Sequence, residues 1–169
     1  MAGVGAPDAD VVGQRPALRR GRADEADRLW ALRTRCVREL CSAAYPPDVI
    51  APWAASPAPV HYPALIAQGG CLIAEDARGA LLGYGVIDRA GNEIDALFVD
   101  PDCGGRGIGR LLMDALVALA DPDRPLVLSA SLNAVPFYQR CGFQALREET
   151  YPHPSGVALA SVRMQRPLP

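Results

Sequence analysis

Polar and apolar positions divide the chain into three textures. From Ala23 to Ser42 the residues Ala26, Leu29, Trp30, Leu32, Val37, Leu40 and Cys41 recur at mostly helical spacing, which predicts an amphipathic helix. Asp24 stands near its start, where a carboxylate can cap the first turn or oppose the helix dipole. Tyr45 to Pro63 then reads YPPDVIAPWAASPAPVHYP. Pro46, Pro47, Pro52, Pro57, Pro59 and Pro63 forbid one long helix and predict short helices joined by turns. Tyr45, Trp53 and Tyr62 in this segment either pack on the core or form a lid over a substrate. From Gly70 the pattern becomes that of strands. CLIAED, ALLGYGVIDRA and NEIDALFVDP are separated by hairpin-sized turns at residues 77–79 and 90–92, an antiparallel meander.

A second amphipathic helix is expected from Arg106 to Ala120, then a turn at DPDRP and a β-branched strand, PLVLSAS. A short helix from Asn133 to Cys141 and two strands, GFQALREETY and VALASVRMQR, close the chain. A short strand from Pro16 to Arg20 precedes the first helix. Residues 1–14, rich in Gly, Ala and Asp, are expected to form a flexible tail, with residues 15–169 as a single domain. The 169 residues suit one domain of ordinary size.

Composition narrows the function. All 17 basic residues are Arg, the net charge is −2, and acids and arginines interleave without a basic stripe, which argues against nucleic acid as a partner. The five cysteines have no CxxC spacing and neither His61 nor His153 lies near a cysteine pair, so no metal is expected. The odd cysteine count suits free thiols in a reducing compartment. With no signal-like start and no apolar run long enough to span a bilayer, a cytoplasmic protein with no membrane partner is expected.

The densest chemical signal is VDPDCGGRGIGRLLMDALVALA, where a strand hands over to a helix through Gly104, Gly105, Gly107 and Gly109. A helix N-terminus leaves backbone N–H groups unpaired and carries partial positive charge, and both favour an anion such as phosphate. Glycine lets the anion approach the backbone. A P-loop is excluded, because Gly109 is followed by Arg110 and Leu111 and the chain has no Lys. The dinucleotide fingerprint G-x-G-x-x-G fails as well. Counted from Gly105 its third glycine is Arg110, and from Gly107 it is Leu112.

Residues 94–109 together with 129–143 resemble the GNAT superfamily of N-acetyltransferases. The family's pyrophosphate loop, Gln/Arg-x-x-Gly-x-Gly/Ala, is matched at Gly107 and Gly109, while Gly104 stands where the family has Gln or Arg. The second segment is SLNAVPFYQRCGF, and the order of elements agrees from Pro16 to Arg166. The resemblance implies an α+β fold of the GNAT acyl-CoA N-acyltransferase type, a mixed central sheet of six to seven strands flanked by helices. It also implies acetyl-CoA as cosubstrate, held along Leu97, Phe98 and Val99, by the loop Gly104, Gly105, Arg106, Gly107, Ile108, Gly109 and Arg110, and by Asn133 and Tyr138. In this reading strand NEIDALFVDP splays from the next strand, and an N–H near Leu97 or Phe98 polarises the acetyl carbonyl. Tyr138 lies beside the thioester sulfur as the acid for the leaving thiolate. Glu93 is the candidate base, with Asp95 the alternative. Simple alternation puts both on one face with Leu97 and Val99, and Ile94, Ala96 and Phe98 on the other. Asn133 either bonds the pantetheine or caps its helix, and Ser129 and Ser131 can line the cofactor side. Cys103 and Cys141 read as ordinary thiols.

The expected activity is direct acetyl transfer to the primary amine of a small molecule in a ternary complex. A non-catalytic acyl-CoA-binding module on the same fold is the alternative, and a nucleotide-binding oxidoreductase fails on the fingerprint. Glu148 and Glu149 hint at a cationic acceptor. A homodimer is left open.

Overall fold

Seven strands form one sheet in the computed structural model, which describes residues 15–168; the expected tail of residues 1–14 lies outside them. The strands are β1 (Ala17–Arg20), β2 (Cys71–Glu75), β3 (Leu81–Asp88), β4 (Glu93–Val99), β5 (Leu126–Ser131), β6 (Gln144–Pro152) and β7 (Ala158–Arg166). Their order across the sheet is β1-β2-β3-β4-β5-β7-β6. Every pairing is antiparallel except β4 with β5. The helices are α1 (Ala26–Leu40), α2 (Pro47–Ala55), α3 (Tyr62–Leu65), α4 (Ile108–Leu119) and α5 (Val135–Arg140). This is the expected mixed sheet and order of elements.

The two faces of the sheet bury separate cores. Leu112, Met113 and Leu116 of α4 pack on Leu72, Ala74, Leu128 and Met164. Leu29, Leu32 and Cys36 of α1 pack on Ile73, Tyr84 and Val86. Glycine in β3 sets how close α4 approaches, since a Cβ on Gly85 would stand 2.5 Å from Leu116 Cδ1. The proline-broken segment folds as expected. Pro47 begins α2, and Pro52 sits inside it, forfeiting one helical hydrogen bond without ending the helix.

The first helix differs from the single run expected over Ala23 to Ser42. Ala23–Glu25 and Cys41–Ala43 are tight 3-10 turns that flank α1. The first turn is held by Glu25, a carboxylate only 5% exposed. Its two oxygens accept from Arg19 Nη1 and Nη2 at 2.9 and 2.5 Å, and Oε2 also accepts from the Arg22 N–H at 3.0 Å. The Arg19 bonds pull the Glu25 pKa down to about 2 despite burial. Stability from a depressed carboxylate is complete above its unfolded pKa and vanishes below its folded one. Glu25→Gln is therefore expected to destabilise the fold by about 2–3 kcal/mol at pH 7, the range for breaking a buried ion pair after allowance for solvent around Arg19. The gap to wild type should close as pH falls from about 4.5 to about 2. Urea unfolding of both proteins across that range checks it, and equal stability at pH 7 contradicts it.

Two features of β4 position the site. Asn92, fully buried at φ 51°, sends Nδ2 to the carbonyls of Asp121, Arg124 and Pro125 at 3.3, 3.0 and 3.1 Å, and its Oδ1 accepts from the Asp121 N–H at 2.8 Å. It ties the start of β4 to the start of β5. The strands then pair only at Glu93–Val127 and Ile94–Leu128 and part. The second feature is a bulge. Val86 faces Ala96 while Ile87 faces Ile94, so Asp95 is an extra residue on β4. Ile94 consequently shares the α4 side with Leu97 and Val99, while Ala96 and Phe98 face the α1 side. The face expected from simple alternation is broken at Asp95, and Glu93, opposite in direction to Ile94, is not aligned with Leu97.

Candidate active site

Where β4 and β5 part, a cavity of about 380 Å³ opens. Residues 94–99 of β4, Ser129 and Ser131 of β5, Asn133, and Tyr138 of α5 line it. Along the parted edge the backbone is polar and free. The Asp100 N–H donates to the Leu82 carbonyl of β3 at 2.8 Å. By the alternation of an antiparallel ladder Phe98 also turns its N–H toward β3, so Leu97 and Val99 turn theirs into the gap. The Cys36 thiol, which donates to the Val99 carbonyl at 3.2 Å, reaches it from that side. Of the two expected positions, Leu97 is the one whose N–H faces the gap.

The glycine segment lies just beyond the cavity, and none of residues 104–110 lines it. Gly107 is the N-cap of α4 at φ 79°, and Gly105 has φ 75°. These left-handed positions require glycine on backbone grounds alone, and a Cβ at either would meet nothing within 4 Å. The helix therefore begins at Ile108, two residues later than expected, and Arg106 belongs to the turn. Gly109 has a different cause from the expected open path, because a Cβ there would press on the Phe137 ring at 3.2 Å and on Val99 Cγ2 at 3.6 Å. Gly109 thus joins the loop to the end of β4 and to α5. The first helical hydrogen bond is from the Leu111 N–H to the Gly107 carbonyl. No side chain caps α4, which leaves the N–H groups of Ile108, Gly109 and Arg110 without protein acceptors among the described residues. The Ile108 side chain is buried, so only its backbone is on offer. Arg106 is exposed, its guanidinium 3.6 Å from Cys103 Sγ. Arg110 is held back by Asp114 at 3.0 Å and by the Arg140 carbonyl at 3.2 Å.

Tyr138 is 8% exposed and sits between Phe137 and Phe143, with ring centroids at 5.3 and 5.9 Å. No buried side-chain oxygen or nitrogen among the described residues lacks a hydrogen-bond partner. Tyr138 makes no side-chain hydrogen bond among the described residues, so its hydroxyl is open to the cavity it lines. Burial, with a smaller push from Cys141, raises its pKa above the usual phenol value and keeps it protonated. Asn133 lines the cavity and does not cap α5.

The two candidate carboxylates separate. Glu93 does not line the cavity and is bound by both guanidinium nitrogens of Arg163, one of which also donates to Ser129 Oγ at 3.2 Å. Asp95 opens into the cavity. The protein around it strips away enough water to raise its pKa to about 6, and the Glu93 and Asp88 carboxylates add to the rise. The thiols are poor nucleophiles here: all five cysteines are free and buried, and burial lifts Cys36 to about 12 and Cys41 to about 11.

Four rings absent from the expected site residues complete the cavity: Tyr45, Trp53, Tyr151 and His153. Tyr45 and Trp53 come from the segment read as either core or lid, and they face the site. Tyr62 is core, its hydroxyl 2.8 Å from that of Tyr84. The hint in the sequence was the density of aromatic residues among the prolines. Glu148 and Glu149 do not line the cavity, and Glu149 pairs with Arg147 at 2.7 Å. No helix among the described residues is long and apolar enough to cross a membrane, and no cluster of three or more metal-ligating side chains occurs among them.

A parted sheet beside an uncapped, glycine-opened helix defines the acyl-CoA N-acyltransferase class of fold. The acetyltransferase (GNAT) domain profile matches residues 55–158. A crystal structure of a GCN5-related N-acetyltransferase from Rhodopseudomonas palustris superposes with a TM-score of 0.81 at 30% identity, covering 93% of this chain and 98% of that one. YncA of Salmonella typhimurium, a structure with acetyl-CoA, superposes at 0.60 with 19% identity over 92% of this chain and 95% of the other. The peptidyl-lysine N-acetyltransferase YjaB of Salmonella typhimurium is 41% identical over 60 residues, 36% of this chain. That match spans 41% of YjaB, less than half its length. The chain belongs to the GNAT family of acetyltransferases.

Proposed function

We propose that the protein transfers the acetyl group of acetyl-CoA directly to a primary amine in a ternary complex. The observation that carries this reading is the unpaired backbone running from the N–H groups of Ile108, Gly109 and Arg110 to the N–H groups of Leu97 and Val99 on the parted edge, ending at Tyr138. The helix end receives the pyrophosphate. The edge of β4 pairs with the pantetheine as an added strand would. YncA, of the same fold, is a structure with acetyl-CoA as cofactor, which supports the choice of ligand.

The atoms balance without a covalent enzyme intermediate. The amine nitrogen attacks the acetyl carbon, and the Leu97 N–H stabilises the oxyanion that develops. The C–S bond breaks as Tyr138 donates to the sulfur. Its raised pKa makes complete proton loss uphill, so its part is to neutralise developing thiolate charge, and the proton released by nitrogen balances the thiol. Asp95, open to the cavity and with its pKa raised to about 6, accepts the earlier proton, the one the ammonium sheds to become the attacking amine, and passes it to water. Glu93, neutralised by Arg163, holds the sheet at the mouth of the gap.

Thermal shift with acetyl-CoA tests the reading. Ligand at 100 times its dissociation constant should add about 2.7 kcal/mol, a rise of roughly 5–10 °C for a domain of this size. No rise sinks the proposal. Binding without thiol release across amines of varied structure would favour the non-catalytic acyl-CoA module instead.

Asp95→Asn is expected to lower turnover by roughly 10–100-fold at pH 7, the lower part of the range for a positioned base. An ionised Asp95 is the active form, so wild-type turnover should fall as pH drops through about 6. The variant should lack that limb, and raising the pH should partly restore it by supplying free amine. Wild-type activity in the variant at pH 7 removes Asp95 from the role.

A further inference from the structure

The acceptor end of the cavity has an unusual balance of charge. Among the described residues Asp95 is the single acid lining it, and no Arg lines it. Of the other nearby charges, Asp88 adds to the negative field at Asp95, and two carboxylates are matched by arginines. Glu93 is bound by Arg163, and Glu149 by Arg147. Arg33 lies behind the wall, where its Nη1 donates to the Trp53 carbonyl at 3.1 Å and its guanidinium covers the Trp30 ring at 4.4 Å. His153 is a neutral group: its Nδ1 accepts from the Ser155 N–H at 3.1 Å, and burial, with Arg33 behind it, disfavours protonation.

The remaining walls are aromatic and come in two pairs. Tyr45 and Trp53 meet edge to face at 5.2 Å, and Tyr151 and His153 do so at 6.1 Å. The Tyr45 hydroxyl is spent, donating to the Ala160 carbonyl at 2.5 Å and accepting from the Leu132 N–H at 3.0 Å. That pair of bonds fixes the ring and leaves its carbon surface for a ligand.

We infer that the acceptor is a monoamine cation with an uncharged, aromatic-sized body and no carboxylate, its ammonium beside Asp95 and its body among Tyr45, Trp53, Tyr151 and His153. An ammonium gains from the carboxylate and from ring faces. An α-carboxylate carried into the same space would face Asp95 and find no lining guanidinium to pair with, Arg33 being behind the wall and held by the Trp53 carbonyl, so it would be desolvated without a direct partner. The inference rests on the acetyltransfer reading for the ammonium's position, but the chemistry of the walls is testable by binding alone.

The test is calorimetric titration of the protein, alone and with coenzyme A, using 2-phenylethylamine, L-phenylalanine and a lysine-bearing peptide. Thiol-release kinetics with acetyl-CoA run in parallel. 2-Phenylethylamine should bind at least tenfold more tightly than phenylalanine. Tyr151→Ala should raise its KM about tenfold with kcat within about twofold of wild type, and Tyr151→Phe, which keeps the ring, should restore the KM. Tyr151 is 52% exposed, so neither substitution threatens the core. Equal or tighter binding of phenylalanine, preference for the peptide, unaltered KM in Tyr151→Ala, or no amine binding at all overturns the inference. Loss of acetyl-CoA binding would overturn the acetyltransfer reading instead, and the amine titration of the protein alone keeps the two failures apart.

Discussion

Gly107→Glu is expected to abolish acetyl-CoA binding while leaving a folded protein. Gly107 stands at φ 79° as the N-cap of α4, ahead of three N–H groups with no protein acceptor. A glutamate there brings a carboxylate to the one place where the proposed phosphate must sit. It competes for the same N–H groups and repels the anion it displaces. The space around the position is open, so the side chain does not collide with the core. What remains is a strained backbone, which for a non-glycine residue in this region costs about 1–2 kcal/mol. Gly107→Ala carries the same strain without the charge, and it isolates the electrostatic part. The expected pattern is a thermal shift with acetyl-CoA in wild type, a reduced one in Gly107→Ala and none in Gly107→Glu. All three should show cooperative melts without ligand. A normal shift in Gly107→Glu would make the loop only a turn.

The loop was legible because its physics is local. The left-handed positions at Gly105 and Gly107 show as glycines at a helix start without help from any distant residue, whereas the packing of Gly109 on Phe137 did not show. Tyr138 was named from the resemblance carried by SLNAVPFYQRCGF, and the structure sets its ring between Phe137 and Phe143 at the cavity. The relation of Glu93 to Asp95 was not legible. EIDALFV alternates cleanly as letters, and a bulge adds a residue without altering their types. Only the pairing of Val86 with Ala96 and Ile87 with Ile94 shows that the alternation slips. The partner that occupies Glu93 lies 70 positions further along the chain, at Arg163. It arrives only because β7 inserts between β5 and β6. The same insertion carries Tyr151 and His153 to a cavity whose opposite wall is Tyr45 and Trp53. The acceptor end is thus assembled from segments about a hundred residues apart, and no local pattern announces it.

Tyr138→Phe should bind acetyl-CoA nearly as well as wild type and turn over about 10²–10³-fold more slowly, the usual loss when one donor to a developing charge is removed. Phenylalanine keeps the ring that packs against Phe137 and Phe143 and removes only the hydroxyl. That hydroxyl has no partner among the described residues and opens to the cavity, so its deletion leaves no buried partner there unsatisfied. The melting temperature should move little for the same reason. An interaction made only as the C–S bond breaks lowers kcat and kcat/KM together and spares the binding constant. Burial raises the phenol pKa, which adds a second signature: the hydroxyl stays a donor across the accessible pH range and contributes no basic limb to the rate profile. The Asp95 limb near pH 6 should therefore persist in Tyr138→Phe at a uniformly lower rate. Single-turnover kinetics, a binding titration and a melt on the same variant separate these outcomes. If turnover is unchanged, Tyr138 is a packing residue, and the developing thiolate charge is met by water or by the nitrogen's own proton.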